Sequence, residues 1–571
     1  MTVGSHAHGN HHHSHDHGHG PHHHDHDGSE AGPELLVDSV SDADLTRSQL
    51  ARRSFLGGAG LLAAGAASGV VAPLSAAATE PATANRPASK YGWSGGDHHI
   101  HTQYSGGSDA PYLIEQQAVH AQAFGLGWIV ITDHGGALHQ KFGVDKTFRD
   151  IALAREQHKN LLIFQGMEWN PPAGDHSTVF VAPGANEATV LKEFEGLFDA
   201  SVNPTFRPSS TANEQRAREA VRWLSGQVGG RVDAALQILN HPSRGGAYAP
   251  SELRGLRDAA PGVAIGMEGA PGHQAAGIPE AAGGPGEGRG FYDGGPGANS
   301  YAGYPLDSYR TYGGFDWLTA NLGGVWDSML AEGKPYFISA TSDSHQNFLD
   351  SWTYGGSPTA DGTYFDPIFT REAVGGRGDF YPGAFSRTVV GVRDRSYGAV
   401  MAGLQAGRSY AVHGNLVDGL EMDVAYEDQI GTFGDTIRRG NRNTRRRPLR
   451  VTVRARLRKT PNSNGDIPVL RRVDLIAGPI TGTPRDLNTQ SAPRTRVVKS
   501  WELSRRQIEA GEAVFQHRFT EVDGPCYLRI RGTDGNNASS GPTGLEPGQD
   551  VIANADPWKD LWFYANPVFV R

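Results

Sequence analysis

The stretch Gly96-Asp97-His98-His99-Ile100-His101-Thr102 points to both the fold and the chemistry of this chain. It lies at the expected start of the first strand, and alternate side chains of a strand share one face. His99 and His101 can therefore point the same way and bind one cation. A single His-x-His pair is weak support for a metal site, so other parts of the chain have to supply further ligands.

Such ligands follow along the chain, each near the end of a short apolar run. Runs such as 126–131 and 235–239 alternate with helix-like stretches such as 111–124 and 212–227. This alternation predicts parallel strands with crossover helices, and an α/β barrel gathers the C-terminal ends of its strands at one site. The polar residues near those ends are Asp133, His134, Glu168, Asp175, His176, His241, Asp343 and His345.

Two parts of the chain depart from this alternation. The stretch from Gly266 to Tyr304 is rich in glycine and proline and lacks a periodic core pattern, which predicts either a mobile lid or a disordered insert. Beyond Asn415 the helical signals fade and strand-like segments recur, as in a β-sandwich. We therefore expect a barrel domain at residues 91–414 and a C-terminal all-β sandwich domain at residues 415–571.

Two unusual segments precede the first strand. Residues 1–50 form a histidine-rich leader that is expected to be disordered, and it is either a solvated tail or an arm that holds divalent metal loosely. Residues 51–78 contain Arg52 and Arg53, a weakly apolar segment and small residues, the order of a twin-arginine export signal. We expect the twin-arginine export machinery to deliver a mature protein without a membrane span to the periplasm or the extracellular space.

The composition argues against several other classes of protein. The 571 residues include 61 acidic and 52 basic side chains, and this net charge of -9 gives no general attraction for nucleic acid or an anionic membrane. The single cysteine, Cys526, cannot form an internal disulfide and excludes a cysteine-based zinc site.

The spaced motifs together resemble those of the PHP (polymerase and histidinol phosphatase) superfamily of metal-dependent hydrolases. The resemblance covers roughly Gly96 to Gly414, and its motifs are His-x-His, Thr-Asp-His, a glutamate followed by a histidine, His-Pro and Asp-x-His. It implies a distorted seven-stranded β/α (TIM-like) barrel with two or three divalent metal ions. The ligands that it implies are His99, His101, His134, Glu168, His176, His241, Asp343 and His345.

The resemblance also groups these ligands around separate ions. Four of them would hold the first ion, Glu168 would bridge to the second, and the last two would serve a third. In that order the groups are His99, His101, Glu168 and Asp343; Glu168, His176 and His241; and His134 and His345.

The site of the third ion departs from the family pattern. Many members have an aspartate ligand soon after the Thr-x-x-Ser that follows His-x-His, whereas Ser105 is followed here by Gly106 and Gly107. Asp109 is the candidate substitute a little further along the chain. A centre with three ions is expected if Asp109 is a ligand, and a dinuclear centre if it is not.

Hydrolysis is the reaction that the resemblance implies, and phosphoesters are the leading substrate class. Nitrogen and oxygen ligands suit Zn, Mn or Fe, and bridging ions lower the pKa of a bound water so that hydroxide can attack an ester. Glu168 and Asp343 would serve catalysis through the metal ions. Arg244 is either a contact for a substrate anion or a surface residue. The expected substrate is a small-molecule or polymer ester.

Two other functions remain open at the level of the sequence. A related branch of the superfamily, similar to this chain in its export and its C-terminal β region, acts on carboxylic or carbamate esters. A metal-binding surface protein without turnover is the alternative that is not an enzyme. The metal ligands do not separate these functions, because the same hydroxide attacks carbon or phosphorus, whereas phosphate recognition requires cationic partners.

Overall fold

The computed structural model describes residues 91–106, 109–439, 447–522, 524–537 and 544–571, all of which belong to one compact unit. The predicted histidine-rich leader at residues 1–50 and the predicted twin-arginine signal at residues 51–78 lie outside the described residues. Within the described ranges, no helix is both long enough and apolar enough to cross a bilayer.

Thirteen strands precede residue 414, and seven of them form one row. The strands are β1 (Gly92–Asp97), β2 (Trp128–Ile131), β3 (Leu162–Trp169), β4 (Ser177–Val181), β5 (Ala235–Leu239), β6 (Ala264–Ala270), β7 (Thr311–Tyr312), β8 (Phe315–Asp316), β9 (Phe337–Ala340), β10 (Trp352–Thr353), β11 (Ile368–Phe369), β12 (Ser386–Val392) and β13 (Ser409–His413).

Helices connect these strands. The prediction of a helix at 212–227 agrees with the observed Thr211–Gln227, which begins where the Ser210 side chain accepts a hydrogen bond from the Asn213 amide. The helices are α1 (Ile114–Ala123), α2 (Val144–Gln157), α3 (Glu187–Phe198), α4 (Thr211–Gln227), α5 (Pro250–Ala259), α6 (Trp317–Ala320), α7 (Val325–Leu330), α8 (Tyr397–Gln405) and α9 (Arg505–Ala510).

The row runs in the order β1-β2-β3-β4-β5-β6-β9. Its neighbours pair in parallel except around β4, which is antiparallel to both β3 and β5. Every residue of β2, β5 and β9 is buried, as expected for strands that are covered on both faces. The predicted α/β class is therefore confirmed, with one reversed strand that the alternation of strands and helices did not reveal.

Contacts also join the two ends of this row. Ile100, just after β1, forms a parallel bridge with Ser344, just after β9. β12 pairs antiparallel with β1, and its Thr388 hydroxyl forms 2.8 Å hydrogen bonds with the amide and the carbonyl of Ala340 in β9. These contacts bring the first and last strands of the row together, while closure of a seven-stranded barrel stays a prediction.

The C-terminal part of the chain consists mainly of strands. The strands are β14 (Val417–Tyr426), β15 (Gln429–Gly431), β16 (Thr436–Ile437), β17 (Leu449–Leu457), β18 (Arg472–Pro479), β19 (Arg496–Glu502), β20 (Glu512–Phe519), β21 (Cys526–Thr533), β22 (Trp562–Ala565) and β23 (Val568–Val570). Four of them form a separate antiparallel sheet in the order β15-β14-β17-β20.

The remaining C-terminal strands extend the sheet that begins in the first part of the chain. β22 pairs antiparallel with β13, with Tyr410 opposite Ala565, and β21 pairs with both β22 and β23. One hydrophobic cluster contains residues from both sheets, such as Val451 and Ile530. Two packed layers are thus present, but one layer continues into the sheet of residues 91–414, so hydrogen bonds cross the predicted domain boundary. The boundary itself stays a prediction.

A buried ion pair links α7 to β21. The Asp327 carboxylate lies 2.7 Å from Arg529 Nη2 and 2.9 Å from Arg529 Nε, and both side chains are 1% exposed. Asp327 also accepts hydrogen bonds from the Tyr527 hydroxyl and the Gly323 amide. Removing one charge from such a pair leaves the other buried without compensation, which is strongly destabilising.

We expect Asp327→Asn to lower the free energy of unfolding by about 3–5 kcal/mol, because Arg529 would keep its charge in a dry environment. Asp423→Asn is the matched control, since Asp423 lies 2.6 Å from Arg454 in a pair that is 40% and 27% exposed. That variant should change stability by less than about 1 kcal/mol. Urea unfolding of both variants measures the difference, and equal effects would contradict the role of the buried pair.

The glycine-rich stretch from Gly266 to Tyr304 does not form a separate insert. Its first residues belong to β6, and the chain then continues through short 3-10 turns at 274–277, 280–282 and 289–291. Ala276, Ile278 and Tyr292 are buried. Burial of these side chains in the folded unit holds this stretch even though its sequence has no periodic apolar pattern.

Candidate metal centre

The candidate ligands project from the ends of six strands of the row. His134 follows β2, Glu168 lies in β3, His176 directly precedes β4, His241 follows β5 and Asp343 follows β9. His99 and His101 lie just beyond the end of β1, so the expectation that they begin the first strand was wrong. That strand begins at Gly92, and its Gly-Trp-Ser-Gly-Gly-Asp sequence carries too little apolar character to be recognised.

One group of ligand atoms surrounds the two histidines of the His-x-His motif. His99 Nε2 lies 3.0 Å from both Glu168 Oε1 and Asp343 Oδ1. His101 Nε2 lies 3.3 Å from Asp343 Oδ1 and 3.4 Å from Glu168 Oε2. All four side chains are almost completely buried. Two imidazoles and two carboxylates thus share one small volume.

Glu168 also contacts three further histidines. His134 Nδ1 lies 2.7 Å from Glu168 Oε2, while His176 Nδ1 and His241 Nε2 lie 3.1 and 3.3 Å from Glu168 Oε1. Asp175 completes this side of the site, 3.6 Å from His241 Nδ1. A carboxylate with both oxygens facing different histidine groups has the arrangement needed to bridge two cations.

Asp109 reaches the opposite side of the site despite the two preceding glycines. Its Oδ2 atom lies 3.2 Å from His345 Nε2, 3.5 Å from His134 Nε2 and 3.8 Å from His101 Nδ1. The structure therefore brings together all nine predicted ligands. The groups whose ligand atoms lie within 4.8 Å of one another are His101, Asp109, His134 and His345; His99, His101 and Asp343; His134, Glu168 and His176; Asp175, His176 and His241; and His273, Asp343 and His345.

Buried carboxylates hold the loops that carry the ligands. Asp97 accepts hydrogen bonds from the His99 and Ser342 amides, which ties the end of β1 to the loop after β9. Glu268 of β6 lies 2.7 Å from His99 Nδ1 and accepts a 2.8 Å hydrogen bond from the His241 amide. Such partners on the far ring nitrogen fix the orientation of a histidine ligand.

Asp133 supports a ligand histidine. Its carboxylate accepts a hydrogen bond from the Thr102 amide at 2.6 Å and another from the Ser105 hydroxyl at 3.1 Å. Ser105 Oγ in turn lies 2.6 Å from His101 Nδ1. Asp133 therefore orients His101 through Ser105 and does not face the other ligands directly.

Three residues of the site have left-handed backbone conformations. The φ angles are +27° for His241, +52° for His273 and +47° for Asp343. Such conformations cost about 1–3 kcal/mol each in residues other than glycine and collect at functional sites. Gly272 shows how tightly the loops meet, because a Cβ atom there would lie 2.1 Å from Asp343 Cβ. The loops after β6 and β9 can approach this closely only with glycine at position 272.

The electrostatics favour ionised carboxylates in the site. Burial by itself would raise the pKa of Glu168, but the imidazoles of His176, His99 and His134 hold it well below its ordinary value. Burial would likewise raise the pKa of Asp343, but the nearby imidazoles outweigh it and hold that pKa well below normal. Metal binding requires exactly this ionised form of the carboxylates.

The histidines of the site differ in the direction in which their pKa is shifted. Burial and the positive charges of His345 and His134 hold the pKa of His101 well below normal, so this ligand is neutral. The carboxylates outweigh burial at His176, whose pKa is raised to about 9 with Glu168 as the main cause. A cation entering the site would take the place of the proton that Glu168 stabilises on His176.

The hydrogen bonding of the buried ligand atoms also fits a site for divalent cations. Buried side-chain nitrogens and oxygens normally make hydrogen bonds, and an unsatisfied one costs about 1–3 kcal/mol. Six of the predicted ligands each have one buried atom that lies close to other ligand atoms but makes no well-directed hydrogen bond. These atoms are His101 Nε2, Asp109 Oδ2, Glu168 Oε2, His176 Nδ1, His241 Nδ1 and Asp343 Oδ1.

Several residues of the site were not predicted from the sequence. His273 Nε2 lies 2.8 Å from Asp343 Oδ2, and its other ring nitrogen contacts Asp379. The Asp379 carboxylate also accepts a 2.7 Å hydrogen bond from the His345 amide. His273 stands three residues after the end of β6, so recognising Ala-Ile-Gly-Met-Glu-Gly-Ala at 264–270 as a strand would have marked it as a candidate.

Arg244 brings positive charge to the site, and Arg377 is a second arginine, two residues before Asp379 in the chain. Arg244 Nη2 lies 2.9 Å from His241 Nε2, and its Nη1 lies 3.8 Å from Asp343 Oδ2. Arg377 is 5% exposed, and its Nε and Nη1 atoms are buried without a hydrogen bond. Within the described ranges, no carboxylate lies at ion-pair distance from Arg377. Tyr354 is within electrostatic reach of Arg377 and also of Asp109 and His345.

Comparisons with known proteins give two distant structural likenesses. No protein-family model and no curated protein matches this chain. A two-domain protein from Bacteroides vulgatus, containing a predicted PHP-like metal-dependent phosphoesterase, is 13% identical with a TM-score of 0.29, and the match covers 84% of this chain and 95% of that one. A second protein, from Bifidobacterium adolescentis, for which metal-dependent phosphoesterase activity is inferred, is 15% identical with a TM-score of 0.19 over 30% of this chain and 76% of its own. Scores this low decide neither fold nor activity, so the function has to be argued from the site.

Proposed function

We propose that this protein is an exported metal-dependent hydrolase of the PHP type that cleaves phosphoesters. The observation that carries the proposal is the set of six buried ligand atoms without well-directed hydrogen bonds, five on residues that the motifs mark as ligands and one on Asp109, the candidate substitute. Export is the part of the proposal that rests on residues 51–78 of the sequence alone.

The ligand groups suit two or three divalent ions. His99, His101 and Asp343 would hold one ion, Glu168 would bridge to another, and the group around Asp109 is complete enough for a third. Bound Zn, Mn or Fe supplies Lewis acidity, which activates water near neutral pH and offsets negative charge on a phosphoryl group. The protein then has to position the ester and exclude competing contacts, and no side-chain nucleophile is required.

The positive charge of Arg244 beside the ligands, with Arg377 nearby in the chain, favours phosphoesters over carboxylic or carbamate esters. A phosphoryl group keeps negative charge throughout hydrolysis and is recognised by guanidinium groups through charge-assisted hydrogen bonds. Arg244 borders two ligands of the site, and Arg377 is a buried cation without an acidic partner in the described ranges. A neutral ester would leave the charge of Arg377 uncompensated.

Metal analysis combined with substrate profiling tests the proposal. Purified protein from residue 79 onward should contain two or three equivalents of Zn, Mn or Fe and hydrolyse a generic phosphomonoester or phosphodiester in a chelator-sensitive way. Turnover of carboxylic esters alone would indicate the carbamate-ester branch. Bound metal without turnover would indicate a binding protein, and a protein without bound metal would refute the site.

We expect Arg377→Gln to lower kcat/KM for an anionic phosphoester by about 10- to 100-fold, because hydrogen bonds to a charged group contribute about 1.5–3 kcal/mol. Hydrolysis of a neutral carboxylic ester, where measurable, should change much less. Arg371→Gln is the matched control, since Arg371 is exposed on the same segment. Equal losses for charged and neutral substrates would show that Arg377 has only a structural role.

A further inference from the structure

A cavity of about 580 Å³ lies beside the metal centre. We call it the side cavity, and its walls come from the end of α1, the segments 347–349 and 379–384, Arg387 of β12, and the C-terminal residues 458–464 and Trp558. Small-molecule sites typically have volumes of about 300–1,000 Å³. None of the nine predicted metal ligands lines the side cavity.

Asp379 forms the wall between the side cavity and the metal centre. Its carboxylate accepts hydrogen bonds from the amides of His345 and Gln346 at 2.7 and 2.6 Å, and it also contacts His273. Asn347, two residues after His345, forms a parallel bridge with Asp379. The side cavity is thus a separate space that shares only supporting residues with the metal centre.

One wall residue carries a donor atom without an acceptor. Arg387 Nε makes no hydrogen bond, on a side chain that is only partly buried. An unsatisfied donor has an energetic cost, so the guanidinium of Arg387 keeps hydrogen-bonding capacity that the chain does not use.

The charge of Arg387 is also uncompensated. Its Nη2 atom donates to the carbonyls of Phe124 and Gly383, which are neutral acceptors. In the part of the chain that the structure describes, no carboxylate lies within ion-pair distance of Arg387. Burial, followed by the positive charge of Arg458, lowers the pKa of Arg387 to about 10. Arg458 itself is paired with Asp418 at 2.9 Å, so the available cation in this wall is Arg387.

Aromatic rings form the apolar walls of the side cavity. Phe380 lies with its ring centroid 5.1 Å from that of Trp558 in an edge-on arrangement and 6.4 Å from that of Phe348. Flat rings pack well against such faces and edges. A ligand for this cavity therefore needs an aromatic body as well as an anionic group.

We propose that the side cavity binds a small aromatic oxyanion, with its charged group on Arg387 and its ring against Phe348, Phe380 and Trp558. This site is independent of the proposed hydrolysis, because its residues hold no metal ion and its occupation requires no turnover. An aromatic carboxylate has the size, the charge and the acceptor atoms that the walls lack.

Binding of 2-naphthoate to the full metal-loaded protein tests the site, with neutral 2-naphthamide as the matched ligand. Calorimetry in saturating inorganic phosphate, which occupies the metal centre, should show one naphthoate per chain. Naphthoate should bind about 10- to 100-fold more tightly than naphthamide, as expected for a charge-assisted contact. Arg387→Gln should remove that difference, and Arg393→Gln, an exposed control at the end of β12, should preserve it.

A second variant keeps the test decisive if Arg387→Gln does not fold. Ala123 is exposed at the edge of the side cavity, so Ala123→Trp should fold normally and weaken the binding of both naphthalene ligands by obstruction. Two results would overturn the proposal: equal affinity for naphthoate and naphthamide, or full binding to the Ala123→Trp protein. Neither of them bears on whether the metal centre hydrolyses phosphoesters.

Discussion

Replacing Glu168 with glutamine is expected to lower kcat/KM for phosphoester hydrolysis by roughly 10³-fold or more, because a lost metal ion withdraws several kcal/mol of transition-state stabilisation. Glu168 is the central ligand, with an oxygen 2.7 Å from His134, 3.0 Å from His99 and 3.1 Å from His176. Glutamine preserves the shape of the side chain. It removes the negative charge and presents an N–H group to ligand nitrogens that must donate electron pairs.

The comparison requires a glutamate whose charge has no role in the site. Glu193 lies 2.6 Å from Arg231 in an exposed pair, so Glu193→Gln should retain both metal content and turnover. Phosphate release and elemental analysis on the same preparations give the two readouts, with circular dichroism to verify folding. Wild-type turnover and wild-type metal content in Glu168→Gln would remove Glu168 from the site.

Much of the candidate site could be predicted because its ligands follow recognisable strands. β2 and β5 are short, apolar and completely buried, so their ends were visible in the sequence and marked His134 and His241. His99 and His101 could also be recognised locally, because their His-x-His spacing is contained in three consecutive residues. Ligands of this kind are predictable because side-chain chemistry and strand position coincide.

The unpredicted parts depend on packing between distant segments. His273 follows β6, whose Gly266 and Gly269 interrupt the apolar pattern, and it reaches Asp343 only because Gly272 allows the two loops to touch. Asp379 lies in a loop without periodic structure, and its role comes from the His345 amide that it holds. No local pattern contains information of this kind.

The same limit applies to the C-terminal strands. Their positions were largely predictable, since alternating apolar residues mark β17 and β20. The pairing of β22 with β13 could not be predicted, because strands pair through their backbone groups and the side chains of an edge strand do not specify its partner. The alternating sequence pattern therefore does not distinguish a separate sandwich from strands that extend the first sheet.

Removing the metal ions is expected to abolish turnover and to lower the thermal stability of the protein. A ligand that binds only the folded state stabilises it by about 4 kcal/mol when its concentration is 1,000 times its Kd. The effect should be marked in this centre, because without a cation the buried Glu168 and Asp343 carboxylates are balanced mainly by protonated imidazoles, with Arg244 3.8 Å from Asp343. Differential scanning calorimetry before chelation, after chelation and after addition of Zn, Mn or Fe measures the change.

The gain in Tm on metal addition should be larger at pH 8 than at pH 6. His176 has a pKa raised to about 9 in the absence of metal, mainly because Glu168 stabilises its proton, and that proton has to leave when a cation binds. Lower pH favours the protonated form and therefore weakens metal binding. Asp343→Asn should show a much smaller gain at both pH values, since it lacks a ligand shared by two groups. If neither chelator nor added metal changes the Tm at pH 6 or at pH 8, the converging histidines and carboxylates hold no ion.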